Sequence, residues 1–336
     1  MIPRIKSFAS RVTGLAAVLA LVVSFSGAAQ AADKLVYSND WFPSGDKGIQ
    51  FYAKHKGYFA AEGLDVSFIT AKGSSDSITR IASGSADVGS ASIVALLQAK
   101  AQADVPVKTA VAFYNIPPDA LMTYEGSKIK SLKDIEGTKL ATATFASSNV
   151  FWPLIIKELK IDESKVGMLK VDPQTLAPML ASGQVDGTLS WMTAAHSTEL
   201  ALKERGKKLK VLAWSDVGFE GYSYSAVVSD KLLKERPEVA RKFVRAMRAA
   251  GAAAIKDPKG VAQSIKALYP DTDEAVAEQQ FIDAVRLMDN DITKKEGFGT
   301  VDPDRLRKTW SWVARAQNYD LSRLDPESIV ARAAIN

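Results

Sequence analysis

The sequence predicts an α/β protein made of two similar lobes that follow a removable leader. Three observations support this prediction: an apolar stretch near the N-terminus, strands that alternate with helices along the rest of the chain, and one helix–turn–strand pattern that occurs twice. Alternating strands and helices are typical of domains with parallel sheets. A chain of 336 residues is long enough for about two domains of ordinary size.

Residues 1–31 have the features of a secretory signal peptide. Three basic residues stand among the first eleven, and residues 15–23 form an unbroken apolar segment. This segment is too short to span a bilayer, which needs about 20 residues. The small residues Ala29 and Ala31 suit a signal peptidase, so we expect cleavage after Ala31 and secretion.

The composition argues against several classes of function. The chain has no cysteine, and therefore no disulfide framework, no thiolate site and no cysteine that could carry a lipid. A secreted protein without a lipid is retained only behind an outer membrane, which favours a Gram-negative periplasm. The 43 basic residues fall to 40 once the three in the leader are removed, against 38 acidic residues. A net charge of +2 gives no reason to expect a nucleic-acid partner.

The mature chain contains two successive α/β units. The first unit is predicted to have strands at 34–39, 64–70, 86–89 and 107–114, with helices at 48–56, 73–84 and 93–102 between them. The second is predicted to have a polar helical turn at 131–137, strands at 138–143, 167–171, 185–191 and 209–214, and helices that end near residues 159 and 182. From residue 230 onward the pattern is helical and is interrupted by prolines.

Crossovers between the units are expected at 115–118, which contains two prolines, and at 215–221. Lobe I should therefore comprise residues 32–115 and 217–336, and lobe II residues 116–216. The segment IASGSADVG at 81–89 is repeated in kind and order by LASGQVDG at 180–187. In each copy a helix ends at glycine and a short turn carries an Asp into a strand. Two copies are too few for a solenoid and indicate two similar lobes.

Three loops combine small polar residues with the start of a helix, which is where ligands bind in α/β folds. Helix N-termini carry a partial positive charge and can bind a carboxylate, sulfonate or phosphate. A serine in this position is also an ordinary N-cap, and both interpretations stay open. The candidate binding residues from these loops are Gly73, Ser74, Ser75, Ser90, Ser92, Thr144, Ser147 and Ser148.

Two tryptophans are candidates for stacking on a flat solute. Trp41 lies in a loop after the first strand, and Trp191 ends a strand of the second unit, so the pair could enclose a ring between the lobes. The alternative is that both pack between helices. Asn115, Asp216 and Tyr222 lie near the crossovers and complete the candidate site.

The sequence gives little support for catalysis. His55 and His196 are the only histidines, and neither has carboxylates at metal-ligand spacing. The chain has no G-x-S-x-G, P-loop or G-x-G-x-x-G motif. We therefore expect no catalytic residue, no cofactor and no metal.

Several short motifs occur together along the whole mature chain: DWFP at 40–43, GYF at 57–59, EGLDV at 62–66, SLKDIEG at 131–137 and GQVD at 183–186. In order and spacing they resemble the ABC-importer solute-binding proteins for taurine, sulfonates, nitrate and thiamine-pyrimidine precursors. The resemblance implies the periplasmic-binding-protein fold of the second type, in which two α/β lobes joined by two crossover strands close over a solute. We expect a monomer that delivers this solute to a permease and ATPase in the inner membrane.

The segment around Trp41 is most similar to the pyrimidine-precursor branch, whose members often have histidine near the position of Lys47. The expected solute is a thiamine-pyrimidine-like heterocycle or a sulfonate- or taurine-like anion. Two alternatives remain. One is a pyrimidine synthase of the same fold, which uses pyridoxal phosphate and an active-site histidine and which the export signal disfavours. The other is a sensor that reports its solute to a membrane kinase.

Overall fold

The computed structural model describes Met1 and residues 31–335, and they contain ten strands in two sheets. The predicted signal peptide lies almost entirely outside the described residues. No helix in the described part of the chain is long and apolar enough to cross a membrane. The strands are β1 (Asp33–Asn39), β2 (Leu64–Thr70), β3 (Val88–Ser92), β4 (Val107–Ala112), β5 (Asp119–Tyr124), β6 (Lys139–Ala143), β7 (Gly167–Val171), β8 (Gly187–Trp191), β9 (Leu209–Ala213) and β10 (Tyr224–Ser229).

Helices flank the strands along the whole chain. They are α1 (Ile49–His55), α2 (Tyr58–Ala61), α3 (Ser74–Ala82), α4 (Ile93–Ala103), α5 (Ser148–Leu159), α6 (Leu176–Ser182), α7 (Ala195–Lys203), α8 (Asp230–Glu235), α9 (Pro237–Ala254), α10 (Pro258–Leu268), α11 (Glu274–Met288), α12 (Asp291–Glu296), α13 (Pro303–Gln317) and α14 (Arg332–Ile335). Short 3₁₀ turns at Gly45–Lys47 and Met192–Ala194 contribute to the site described below.

The two sheets have equivalent topologies. The first has the order β2-β1-β3-β10-β4 and the second the order β7-β6-β8-β5-β9. In each sheet the first three strands pair in parallel. The fourth strand, β10 or β5, arrives from the other half of the chain and runs antiparallel to both of its neighbours, so the fifth strand has the same direction as the first three. The predicted two-lobed α/β fold is confirmed.

Two details of the prediction were wrong. The sheets are mixed rather than parallel, because β5 and β10 enter them in the antiparallel direction, and neither strand was predicted. Residues 131–137 form turns and not a helical turn. The lobe boundaries at 115/116 and 216/217 stay a prediction.

The repeated sequence motif has the same geometry in both sheets. The Asp87 carboxylate accepts a hydrogen bond from the backbone N–H of Val36 in β1 at 2.9 Å. The Asp186 carboxylate accepts one from the backbone N–H of Lys139, the first residue of β6, at 2.7 Å. Each aspartate therefore ties the turn before one strand to the neighbouring parallel strand, and the motif repeats in sequence because the lobes repeat in structure.

Helix α13 contacts helices of both halves of the molecule. It packs against α4, beside the first sheet, and against α5, beside the second. Gln317 at its end accepts a hydrogen bond from Gln98 at 2.8 Å and donates one to the Val150 carbonyl at 2.7 Å. The C-terminal segment therefore braces the two lobes against each other.

Candidate ligand-binding site

A cavity lies between the lobes and is lined by both of them. The first lobe contributes the loop after β1 and the start of α3. The second contributes the start of α5, the end of β8 and the turn that follows it.

The loop after β1 is held against α11. Its Gly45 donates a backbone hydrogen bond to the side-chain oxygen of Gln280 at 2.9 Å. A Cβ at position 45 would overlap the carbonyl oxygen of Ala277, so only glycine allows this close approach. The loop thereby presents Asp40, Asp46 and Lys47 to the cavity.

Lys47 is buried at the bottom of the cavity. Its ammonium nitrogen lies 3.4 Å from the centroid of the Trp191 ring and 3.9 Å from that of Tyr224. The carboxylate of Asp40 is 3.6 Å away. Burial lowers the pKa of Lys47 below its ordinary value, although the charges of Asp40, Asp46 and Asp119 act in the opposite direction.

Asp40 is the centre of a serine network at the end of β1. Its carboxylate accepts hydrogen bonds from the hydroxyls of Ser74 at 2.9 Å and Ser90 at 3.2 Å. The Ser74 hydroxyl also accepts the backbone N–H of Ser92 at 3.0 Å. The start of α3 is therefore already next to a negatively charged side chain of the protein, the carboxylate of Asp40.

Asp119 has the same relationship to α5 in the second lobe. Its carboxylate accepts the hydroxyl of Ser148, the first residue of α5, at 2.5 Å. Burial raises the pKa of Asp119 to about 6, and the hydrogen bond from Ser148 and the charge of Lys47 oppose this rise. Each lobe thus places one buried carboxylate beside the first serine of a helix at the cavity wall.

Asp46 connects the lobes directly. Its carboxylate accepts the hydroxyl of Thr193, in the turn after β8, at 2.7 Å, and the hydroxyl of Ser44 also at 2.7 Å. Its backbone carbonyl accepts the hydroxyl of Tyr114 at 2.7 Å. All four side chains are buried, so these bonds are formed away from water, where they are strongest.

The two tryptophans each reach into the opposite lobe. Trp41 belongs to the first lobe and packs against the apolar cluster of the second around Met122 and Leu180. Trp191 belongs to the second lobe and packs against the cluster of the first that contains Tyr224. Both are half-buried and line the cavity.

Further contacts close the mouth of the cleft. The ammonium of Lys72 lies 2.8 Å from the carboxylate of Asp172 across the gap. The backbone N–H of Ser75 donates to the carbonyl of Phe145 at 3.3 Å. The structure is therefore a closed form in which the lobes touch on several sides of the cavity.

The family model described as "NMT1/THI5 like" matches residues 47–261, which is more than half of the chain. The chain belongs to the NMT1/THI5-like family.

Relatives of this family member include an enzyme and binding proteins. The chain is 23% identical over 243 residues to 4-amino-5-hydroxymethyl-2-methylpyrimidine phosphate synthase of Schizosaccharomyces pombe, covering 68% of this chain and 67% of that protein. It is 26% identical over 281 residues to the riboflavin-binding protein RibY of Chloroflexus aurantiacus, covering 79% and 76%. It is 22% identical over 282 residues to the formylaminopyrimidine-binding protein of Halalkalibacterium halodurans, covering 82% of each chain.

Solved structures of other proteins have the same fold as this chain. A protein from Bordetella bronchiseptica RB50 superposes with a TM-score of 0.72 at 19% identity, covering 91% of this chain and 97% of that one. The alkanesulfonate-binding protein SsuA from Xanthomonas axonopodis pv. citri, bound to MOPS, superposes with a TM-score of 0.67 at 15% identity, covering 90% and 97%. The expected periplasmic-binding-protein fold is thereby confirmed.

The structure brings most of the candidate residues to the cavity or next to it. Ser90 and Ser92 lie one layer behind the wall, where they support Asp40 and Ser74. Ser75 and Thr144 lie nearer the mouth, Ser75 on the Phe145 carbonyl and Thr144 in a groove beside Lys72. The candidates that line the cavity itself are Trp41, Gly73, Ser74, Ser147, Ser148 and Trp191.

Three candidates lie away from the cavity. Asn115 is bonded to the first turn of α12, donating to Thr293 at 2.7 Å and accepting from Asn290 at 2.7 Å. The Tyr222 hydroxyl donates to Glu296 at 3.0 Å. Asp216 is exposed on the return crossover. Asn115 and Tyr222 hold the segments around the crossovers, and none of the three residues lines the cavity.

Sequence reasoning missed the ionisable residues of the site. Asp40, Asp46 and Asp119 were not candidates, and Lys47 was noted only because it stands near a position that is often histidine in the pyrimidine-precursor branch. One available signal was the density of charge in the loop after β1, where a short segment contains two aspartates and a lysine. A second was the aspartate directly after the paired prolines.

Proposed function

We propose that the protein is the periplasmic solute-binding component of an ABC-type importer, and that it holds a planar nitrogen heterocycle between its lobes without altering it chemically. The names of RibY and of the formylaminopyrimidine-binding protein support this class of ligand. The predicted signal peptide supports a place outside the inner membrane. A permease and its ATPase would then receive the solute from the closed form.

The observation that carries the proposal is the charge of the cavity. Two buried carboxylates, Asp40 and Asp46, line the cavity together with one buried ammonium, Lys47, and a third buried carboxylate, Asp119, lies directly behind Ser148 of the wall. A further negative group would enter a region that already has an excess of negative charge and little water to screen it. A sulfonate or taurine-like anion is therefore disfavoured, and a ligand with N–H donors or a positive charge is favoured.

The aromatic side chains support a flat ligand. Trp41 and Trp191 contribute large ring surfaces from the two lobes, and both keep part of that surface free of protein. A planar ring between them can combine stacking with hydrogen bonds to carboxylates at its edge. Micromolar binding needs about −8 kcal/mol, which one stacked ring and a few buried hydrogen bonds can supply.

The similarity to the Schizosaccharomyces pombe synthase favours one second candidate, a pyrimidine-forming enzyme. The resemblance implies pyridoxal phosphate and an active-site histidine for such an enzyme. Neither His55 nor His196 lines the cavity, and His55 is bonded to Ser264 of α10 at 3.0 Å. A phosphate group would also meet the three carboxylates, two of which already occupy the helix starts. The cavity residues do not fit this cofactor.

A thermal-shift screen tests the proposal. The purified protein is heated with thiamine-pyrimidine precursors, riboflavin, taurine, alkanesulfonates, nitrate and aromatic carboxylates. We expect a neutral or cationic heterocycle to raise the melting temperature by several degrees, since ligands stabilise the state they bind. Mass spectrometry of the recovered ligand should find it unchanged. A shift with the anions alone, or a ligand recovered with altered mass, would contradict the proposal.

A further inference from the structure

A second chamber adjoins the first cavity. Seven of the residues that the structure describes line both spaces and form their common wall: Trp41, Phe42, Ser44, Ser190, Ala194, Ser197 and Gln280. Beyond this wall the second chamber lies between α11 of the first lobe and helices α6 and α7 of the second. The cleft is therefore a two-chamber space, and we call the parts the inner and outer chambers.

The outer chamber differs from the inner one in charge. Its one ionisable lining residue, among those the structure describes, is Asp273. That carboxylate already accepts the backbone N–H of Val276 at 3.1 Å as the N-cap of α11. The inner chamber, in contrast, presents Asp40, Asp46 and Lys47. A group that enters the outer chamber meets a nearly neutral surface.

Hydroxyl and amide groups supply the polarity of the outer chamber. The hydroxyls of Ser190 and Thr272 make no hydrogen bond to another described residue, and both residues are half-buried. Gln280 donates to Ser197 only at 3.4 Å. These groups can donate to and accept from a hydroxylated chain, and Leu176 and Val276 provide apolar surface beside them.

We propose that the cleft takes a two-part solute, with a planar head in the inner chamber and an uncharged, hydroxyl-bearing tail in the outer chamber. The inference rests on the proposed function, since it assumes that a solute is held between the lobes. The tail passes between Trp41 and Gln280 and exchanges its water contacts for bonds to Ser190 and Thr272. A solute that consists of a single ring would leave the outer chamber to water.

Matched pairs of compounds test the proposal by calorimetry on the purified protein. Riboflavin and lumiflavin share one ring system and differ in whether it carries a hydroxylated chain or a methyl group. Cytidine and cytosine differ in whether an aminopyrimidine carries a hydroxylated ribose ring or a hydrogen atom. In a pair that binds, we expect the tailed compound to bind about tenfold more tightly, because a net gain of one or two hydrogen bonds is worth about that much. Equal binding of the two members would overturn this inference and leave the proposed function intact.

A substitution that fills the outer chamber locates the tail. Val276→Trp should abolish the advantage of the tailed compound, so that both members of the pair bind alike. Ala275→Trp places the same side chain at an exposed position of α11 that does not line the chamber, and it should keep the advantage. A tail effect that persists in Val276→Trp would overturn the inference. Failure of every compound to bind would overturn the proposed function, and this inference with it.

Discussion

The ammonium nitrogen of Lys47 lies 3.4 Å from the centroid of the Trp191 ring, and the two residues come from opposite lobes. The charge is paired with Asp40, 3.6 Å away within its own lobe. Closure therefore places an aromatic face over a buried ion pair, and a desolvated contact of this kind is worth about 2 kcal/mol. Part of the free energy that holds the lobes together comes from a residue that also lines the binding cavity.

Lys47→Met should destabilise the protein strongly. The methionine keeps an apolar chain of similar length, but the carboxylate of Asp40 loses its buried counter-charge. Removing one partner of a buried pair costs about 3–5 kcal/mol. Urea unfolding followed by circular dichroism measures this loss.

Lys54→Met is the matched control. Lys54 is paired with Asp65 at 3.2 Å near the surface, where its side chain is 35% exposed and that of Asp65 is 55% exposed. An exposed pair contributes about 0–1 kcal/mol, so this variant should remain close to the parent. Similar small losses in the two variants would show that the Lys47 pair is not the buried charge cluster described above.

Asp119→Asn should stabilise the protein at neutral pH. The pKa of this carboxyl is raised from 3.8 to about 6 by burial. The folded protein therefore holds the proton more tightly than the unfolded chain does, and stability falls as the pH rises from about 4 to about 6. A shift of this size corresponds to about 3 kcal/mol at pH 7. Asparagine carries no charge and still accepts the Ser148 hydroxyl.

The stability difference between Asp119→Asn and the parent should depend on pH in the same window. It should be near zero at pH 4 and reach its full value by about pH 7 in urea unfolding. Asp216→Asn, at an exposed position, should show no such trend. A difference that stays constant between pH 4 and 7 would contradict the assignment of a raised pKa to Asp119.

Parallel strands with one buried face were predictable from the sequence. Strand β2 was predicted to the residue because Leu64, Val66 and Phe68 alternate with exposed positions, and β7 was predicted to the residue as well. Strand β10 gave no such signal, because all its positions are buried and serines are among them. A strand that lies between two neighbours in the middle of a sheet needs no alternation, so its pattern does not distinguish it from a loop.

The candidate site was predictable only in part, because some of its residues are defined by contacts that the sequence pattern does not show. Trp41, Ser74 and Ser148 follow from the rule that ligands meet loops at strand ends and helix starts. Asp40 and Asp119 are functional candidates because of buried contacts with residues distant in sequence, Asp40 with Ser90 and Asp119 with Ser148, and the sequence pattern does not show such contacts. The same holds for Lys47, whose environment includes the ring of Trp191.

Trp41→Ala should abolish the thermal shift produced by a heterocyclic ligand. The ring lines both chambers and is an aromatic surface that the first lobe offers to a planar solute. Its loss removes stacking and opens the inner chamber to water. Trp41→Phe keeps an aromatic ring and should retain most of the shift. An unchanged shift in Trp41→Ala would remove this residue from the site.

Gly73→Ala should hold the lobes apart. Gly73 has φ of +146°, a region that residues with a Cβ rarely adopt. A Cβ at this position would also overlap the carbonyl of Phe145 in the second lobe. The substitution therefore strains the local backbone in every state of the protein. It also creates a steric clash that arises only when the cleft closes. Small-angle scattering should give a larger radius of gyration for the variant than for the parent in the presence of ligand.

Gly84→Ala separates these two costs. Gly84 also has a positive φ, of +80°, but no atom lies within 4 Å of the position its Cβ would take. This variant should lose stability by about 1 kcal/mol through backbone strain and still reach the closed dimensions of the parent. If Gly73→Ala also closed to those dimensions with ligand bound, the contact between Gly73 and Phe145 would not limit closure. The hydrogen bond from the Ser75 N–H to the Phe145 carbonyl lies beside this contact. Closure of Gly73→Ala would therefore also show that the variant closes the mouth of the cleft without this arrangement.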